Sequence, residues 1–211
     1  MANIIKAYLA KQLGHPSGWA GKLVLRLLNR SNETMNRLTF EQLDLASGQQ
    51  FLEIGFGGGS LIQRCLDSEC ELKVAGVDPA IAAVIMAERK FQSAMASGNL
   101  QIAHAGGEDL PFSDETFDRI ATVNTLYFWA EPTVVLRSCW RVLRPTGKLL
   151  ITYNNKDFLE KTEATNYGFR AYDPAEVESM LGDAGFAEIL TVKWESPYDG
   201  QFFCTSGAKI V

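Results

Sequence analysis

The chain has 211 residues, of which 46% are hydrophobic and 21% charged, the size and composition of one α/β domain with ample core. Its net charge is −5 and no long basic run appears, which argues against a duplex nucleic-acid partner because phosphate binding needs a positive face. No apolar run reaches the about 18 residues of a membrane span, and Met1–Ala10 lacks the apolar core and cleavage site of a signal peptide.

Residues 1–46 read as a helical leader, or lid, ahead of the main domain at 47–211, the two forming one structural unit. Gly14-His-Pro-Ser-Gly18 is a loop signature. Trp19–Leu28 follows as an apolar helical stretch, broken at Asn29-Arg-Ser-Asn32. Ser31 or Asn32 can cap a further helix running through Met35 and Leu38 toward Leu45. His15, Ser17, Asn32 and Asn36 are leader groups within reach of a ligand if this segment folds over the sheet.

Phe51, Leu52 and Ile54 then form the run of a strand covered on both faces. Gly55-Phe-Gly-Gly-Gly59 turns the chain sharply, and Leu61–Leu66 reads as a helix. Val74, Ala75 and Val77 make a second strand ending at Asp78. Strand, glycine turn, helix, strand and terminal acid form the first half of a nucleotide-type site at the carboxyl edge of a parallel sheet. A dinucleotide fingerprint requires Gly-x-Gly-x-x-Gly. From Gly55 the third glycine falls on Ser60, and from Gly57 on Ile62, so both registers fail. Glu53, two residues before the turn, would repel a pyrophosphate at the helix amides but tolerate an amine or sulfonium.

Pro79 suits the start of a helix over Ala80–Met95, whose Ile81, Val84, Ile85 and Met95 read as a core stripe. Leu100–His104 is a short strand, and Arg119–Asn124 another, with Thr125-Leu-Tyr-Phe-Trp129 leaving its carboxyl end. Thr133–Leu143 is amphipathic. Pro145 stops it, and Gly147 is the expected turn residue into the strand Leu149–Thr152. Tyr153–Tyr172 is polar and irregular. Asp173-Pro-Ala-Glu176 starts a helix to Leu181. Phe186–Glu195 and Gln201–Ile210 read as a closing hairpin. The four cysteines, Cys65, Cys70, Cys139 and Cys204, fit no zinc or Cys-x-x-Cys pattern; reduced thiols in a cytoplasmic protein, and no metal site, are expected.

Three separated segments carry a family resemblance. Glu53-Ile-Gly-Phe-Gly-Gly-Gly59 resembles the first motif of class I S-adenosylmethionine-dependent methyltransferases. Glu108-Asp-Leu-Pro-Phe-x-Asp-x-x-Phe-Asp118 is similar to the small-molecule branch that includes the ubiquinone and menaquinone methyltransferases. Leu143-Arg-Pro-x-Gly147 before a strand is a third, structural hallmark. The resemblance covers roughly residues 50–190. It implies an α/β, doubly wound, mostly parallel seven-stranded sheet with a C-terminal antiparallel hairpin. It also implies S-adenosyl-L-methionine as cofactor, leaving as S-adenosyl-L-homocysteine. By resemblance, Glu53, Gly55 and Gly57 hold the methionyl end, and Asp78, with Pro79 beside it, holds the ribose. Asn124 stands near the amino acid end. The family often places Asp or Asn where this chain has Gly106, so Gly107 amides and Glu108 are left to meet the adenine.

Methyl transfer from a sulfonium is an in-line displacement with a neutral leaving group, so positioning supplies most of the rate and no catalytic dyad is required. His104 is a candidate base and Tyr127 a candidate orienting hydroxyl. Tyr127, Phe128 and Trp129 would wall the pocket of a small-molecule acceptor, methylated on oxygen, nitrogen or carbon. A cofactor-binding member without turnover, and a nicotinamide-dependent oxidoreductase, are the alternatives. The sequence names neither the acceptor nor the oligomeric state.

Overall fold

The structure, a computed structural model, describes residues 32–161, 169–196 and 200–210. The expected loop at 14–18, the helix over Trp19–Leu28, His15 and Ser17 lie outside the described residues.

Helix α1 (Glu33–Leu43) leads into strand β1 (Gln50–Ile54), α2 (Ser60–Leu66) and β2 (Lys73–Asp78). Then come α3 (Ile81–Lys90), the short α4 (Gln92–Ala96), β3 (Leu100–His104) and β4 (Phe117–Val123). A 3-10 turn (Leu126–Phe128) precedes α5 (Pro132–Val142), β5 (Leu143–Asn154), α6 (Lys156–Lys161), α7 (Pro174–Asp183), β6 (Ala187–Ser196) and β7 (Gly200–Ala208). The seven strands form one sheet in the order β3-β2-β1-β4-β5-β7-β6. β1 through β5 run parallel, while β7 is antiparallel to both β5 and β6. The sheet and its hairpin match the expected architecture. Among the described residues no helix is long and apolar enough to cross a membrane.

Strand order reverses between β1 and β4, which opens a crevice beyond their carboxyl ends. Helices cover both faces, so the central strands bury side chains on both sides and alternation sorts them between two cores. Leu52 and Ile54 enter the core shared with α5 and α7, while Phe51 enters the one shared with α1, α2 and α3. Glu53, also odd-numbered, therefore stands on the Phe51 side, beneath α2. The same pleat puts Leu150, and hence Thr152 and Asn154, on that side.

α1 is seated on this second face by polar ties. The Thr39 hydroxyl donates to the Met35 carbonyl at 2.7 Å, so the Thr152 hydroxyl, 2.7 Å away, must donate to Thr39. Arg119 Nε donates to the Leu43 carbonyl at 2.9 Å.

Two local expectations are corrected. The helix after Pro79 breaks at Phe91, whose buried ring lies against Gly59, and of the expected stripe Val84 and Met95 face the core while Ile81 and Ile85 do not. Ile81 and Ile85 are exposed, while Ala82, Ala83, Val84 and Ala87 face inward. Gly147, expected as the turn into the fifth strand, lies inside β5, and the left-handed residue there is Thr146 (φ 66°). Gly147 is needed for closeness instead: a Cβ there would stand 2.9 Å from the Arg144 carbonyl oxygen.

Candidate functional site at the carboxyl edge

The glycine turn leaves β1 through three left-handed residues, Gly55 (φ 71°), Gly57 (φ 52°) and Gly59 (φ 71°). Gly55 has a second constraint, because a Cβ would lie 2.4 Å from the Thr125 methyl. Thr125 thus presses on the turn, and its hydroxyl is paired with that of Thr122, which donates to the Ile54 carbonyl at 2.8 Å. The turn that follows β4 and the glycine turn are one packed unit.

Asp78 ends β2 nearly buried. Its Oδ2 accepts the Gly57 amide at 2.8 Å and its Oδ1 the Ala80 amide at 2.8 Å. The expected pair, glycine turn and terminal acid, is therefore in direct contact. Two charge-assisted bonds fix the carboxylate at the start of the path into α3. His104, exposed at the end of β3, has Nε2 at 2.9 Å from the Pro79 carbonyl. A carbonyl only accepts, so Nε2 carries the proton and Nδ1 is the basic nitrogen.

Glu53 is 3% exposed, with Oε2 accepting the Ile62 amide at 3.1 Å. Burial pushes its carboxyl up to about 8, outweighing the Ile62 hydrogen bond; the Asp78 charge adds to the rise and Lys90 opposes it. A positive group placed beside a carboxyl in this state would restore its charged form.

Gly107 is buried, packed so that a Cβ would meet Val135 and Ile54. At Gly106 a Cβ would stand 2.4 Å from Glu108 Oε2. The Glu108 carboxylate is folded back over the backbone where the family often carries a side chain.

Asn124 is left-handed (φ 57°), with its amide donating to the Thr152 carbonyl at 2.8 Å. Its Nδ2 donates to Asn32 Oδ1 at 2.9 Å and reaches Met35 Sδ at 3.2 Å. Its Oδ1 accepts from the Tyr127 hydroxyl at 2.9 Å and from Asn154 Nδ2 at 3.2 Å. The Asn154 amide donates to the Tyr127 oxygen.

Tyr127 therefore has a different employment from the orienting hydroxyl expected of it. It is 3% exposed, both sides of its hydroxyl are taken by protein groups, and burial holds its pKa well above the usual phenol range. Trp129 is also buried; of the three aromatics only Phe128 shows to solvent, edge-on to Phe169 with ring centroids 4.7 Å apart. Asn154 was missed by sequence reasoning, which placed the end of the fifth strand at Thr152. No motif marks it; only its position at the carboxyl edge could have.

A family model described as a methyltransferase domain matches residues 52–151. The ubiquinone/menaquinone biosynthesis C-methyltransferase UbiE of Escherichia fergusonii is 32% identical over 183 residues, covering 72% of this chain and 72% of that protein. Among solved structures, a methyltransferase of Haloferax volcanii, seen in complex with a methyltransferase activator, superposes with a TM-score of 0.78 at 16% identity, covering 92% of this chain and 96% of that one. The phosphoethanolamine N-methyltransferase 2 of Haemonchus contortus, bound to phosphomonomethylethanolamine and S-adenosylhomocysteine, gives a TM-score of 0.71 at 16% identity over 84% of this chain and 53% of that one. At these identities the two structures speak for the fold.

Proposed function

We propose that this chain, which belongs to the class I S-adenosylmethionine-dependent methyltransferases, uses its cofactor to methylate a small-molecule acceptor on oxygen, nitrogen or carbon. The observation that carries the site assignment is a pair of buried carboxylates, Glu53 and Asp78, on either side of a left-handed glycine turn. Their chemistry fits the cofactor. Glu53, uncharged at neutral pH when alone, suits the ammonium of an amino acid tail. Asp78, fixed by two amides, suits vicinal ribose hydroxyls, with Pro79 against the nucleoside. Gly55 and Gly57 let backbone approach the ligand. Gly107 and the folded-back Glu108 are proposed at the adenine edge, and Asn124 near the amino acid end.

When bound, the cofactor supplies an electrophilic methyl group on a sulfonium whose sulfur departs as a neutral thioether. The chain's residues are then asked to hold and orient rather than to protonate. Exclusion of water falls to the 125–128 turn and to the leader, residues 1–46, for which we keep the role of lid. His104 is the proposed base, acting through Nδ1, the nitrogen left free of the Pro79 carbonyl. The net charge of −5 supports a small molecule over a nucleic acid. The four free thiols, three of them buried, support a cytoplasmic setting.

Isothermal titration with S-adenosylmethionine, followed by transfer of labelled methyl to a metabolite extract, tests the reading. Binding and a labelled small molecule are expected; absence of heat from folded protein would overturn the site. Asp78→Ala is expected to weaken cofactor binding at least tenfold, and unchanged affinity removes Asp78 from it.

A further inference from the structure

The amide network around Asn124 has a definite polarity, and it leaves one atom over. The Asn154 backbone N–H donates to the Tyr127 oxygen, so the Tyr127 proton goes to Asn124 Oδ1. With Oδ1 so placed, Asn124 turns its Nδ2 to Asn32. Asn154 then has to offer its own Nδ2 to Asn124, at 3.2 Å. Its carbonyl oxygen, Oδ1, is left without a partner among the described residues, although Asn154 is only 9% exposed. The orientation is dictated by the neighbours, so a flip of the amide does not remove the problem: it would set two carbonyl oxygens against each other.

Buried acceptors are almost always paired, and an orphan calls for a reason. Its place supplies one. Glu53, Ala121 and Leu150 lie side by side in the sheet, and Asn154 is four residues farther along β5, about 13 Å toward the carboxyl edge. It shares the Glu53 face of the sheet. Tyr127 spans from it to the exposed ring of Phe128, whose centroid is 6.3 Å from that of Tyr127.

Resting on the methyltransferase reading, the geometry points to Asn154 Oδ1 as the docking point for the methyl acceptor. The acceptor is thus a molecule that presents an O–H or N–H donor there, with an apolar body against Phe128. The hydrogen bond turns the donor's lone pair toward the crevice where the cofactor sits; no bond is made or broken at Asn154. It is a substrate-positioning residue, distinct from the groups assigned to the cofactor.

The test uses the full chain loaded with S-adenosylhomocysteine and matched small probes, phenol against anisole and aniline against N,N-dimethylaniline, with binding read by saturation-transfer NMR. Wild type is expected to bind phenol or aniline and to discriminate against the capped partner by tenfold or more. Asn154→Leu keeps the backbone amide and the branched shape and deletes the orphan together with Nδ2, leaving Asn124 Oδ1 its Tyr127 partner. It is expected to keep cofactor-product affinity and a melting temperature no lower than wild type, while losing the discrimination. A structural role would instead lower the melting temperature. Equal binding of capped and uncapped probes, no binding of either, or discrimination that survives in Asn154→Leu overturns the inference. Failure of wild type to take S-adenosylhomocysteine overturns the function proposed above, a separate result read before any probe is added.

Discussion

If Glu53 holds the cofactor's ammonium as proposed, cofactor binding is a proton-coupled event. Its ordinary value is 4.5 and burial raises it to about 8. A raised carboxyl means that the folded free protein holds a proton the unfolded chain would release. Its contribution to stability is therefore full below pH 4.5 and is lost as pH rises through 8. An ammonium bound beside it reverses the preference. At pH 7 binding is expected to release close to one proton, and affinity is expected to rise between pH 6 and 7.5. Calorimetry in buffers of different ionisation enthalpy measures the proton directly. Glu53→Gln should bind without buffer dependence. A wild-type enthalpy that does not vary with buffer would place the ammonium elsewhere.

Helices and strands carry the site through their ends, and the ties between ends are structural tests. Tyr127 joins the exit of β4 to the end of β5 through Asn124 and Asn154. Tyr127→Phe leaves the buried Asn154 amide without its acceptor, at a cost of about 1–3 kcal/mol in urea unfolding. Cofactor-product affinity is expected to change less than twofold. Unchanged stability with abolished transfer would return Tyr127 to the catalytic role that the sequence suggested. The elements themselves were largely legible, because apolar runs bounded by glycine and proline leave few alternatives. The motif residues Glu53, the glycines and Asp78 were legible for the same reason, since one short stretch of chain holds strand, turn and strand. The Asn32–Asn124–Asn154–Tyr127 network was not. It is assembled from a helix start and two strand ends, and no local spacing encodes it. The face of α3 was right at Val84 and misread at Ile81 and Ile85, because pattern counting places the largest apolar residues inward. Here the inward face is Ala82, Ala83, Val84 and Ala87, residues small enough to lie close to the sheet. Gly147 misled in a similar way: a glycine after a proline reads as a turn ahead of the strand, whereas it lies inside β5, beside the left-handed Thr146.

Across the molecule, the contacts proposed for the cofactor would make it a clamp between halves of the sheet. Its proposed contacts come from β1, β2 and the loops after β3 and β4, strands on both sides of the order reversal. S-adenosylhomocysteine at one hundred times its dissociation constant is expected to add about 2.7 kcal/mol of stability. For a chain of this length that raises the melting temperature by about 5–10 °C. A scan showing no shift at saturation would mean that the ligand binds folded and unfolded chains alike.

The sheet order has one more consequence, for the chain as it is made. β7 lies between β5 and β6, so the sixth strand has no neighbour to join until the seventh exists. β6 can therefore enter the sheet only as one arm of the β6–β7 hairpin, or after β7 has already docked on β5. Until the hairpin docks, the β5 edge stays open, so joining the last two strands is the step that closes this side of the sheet.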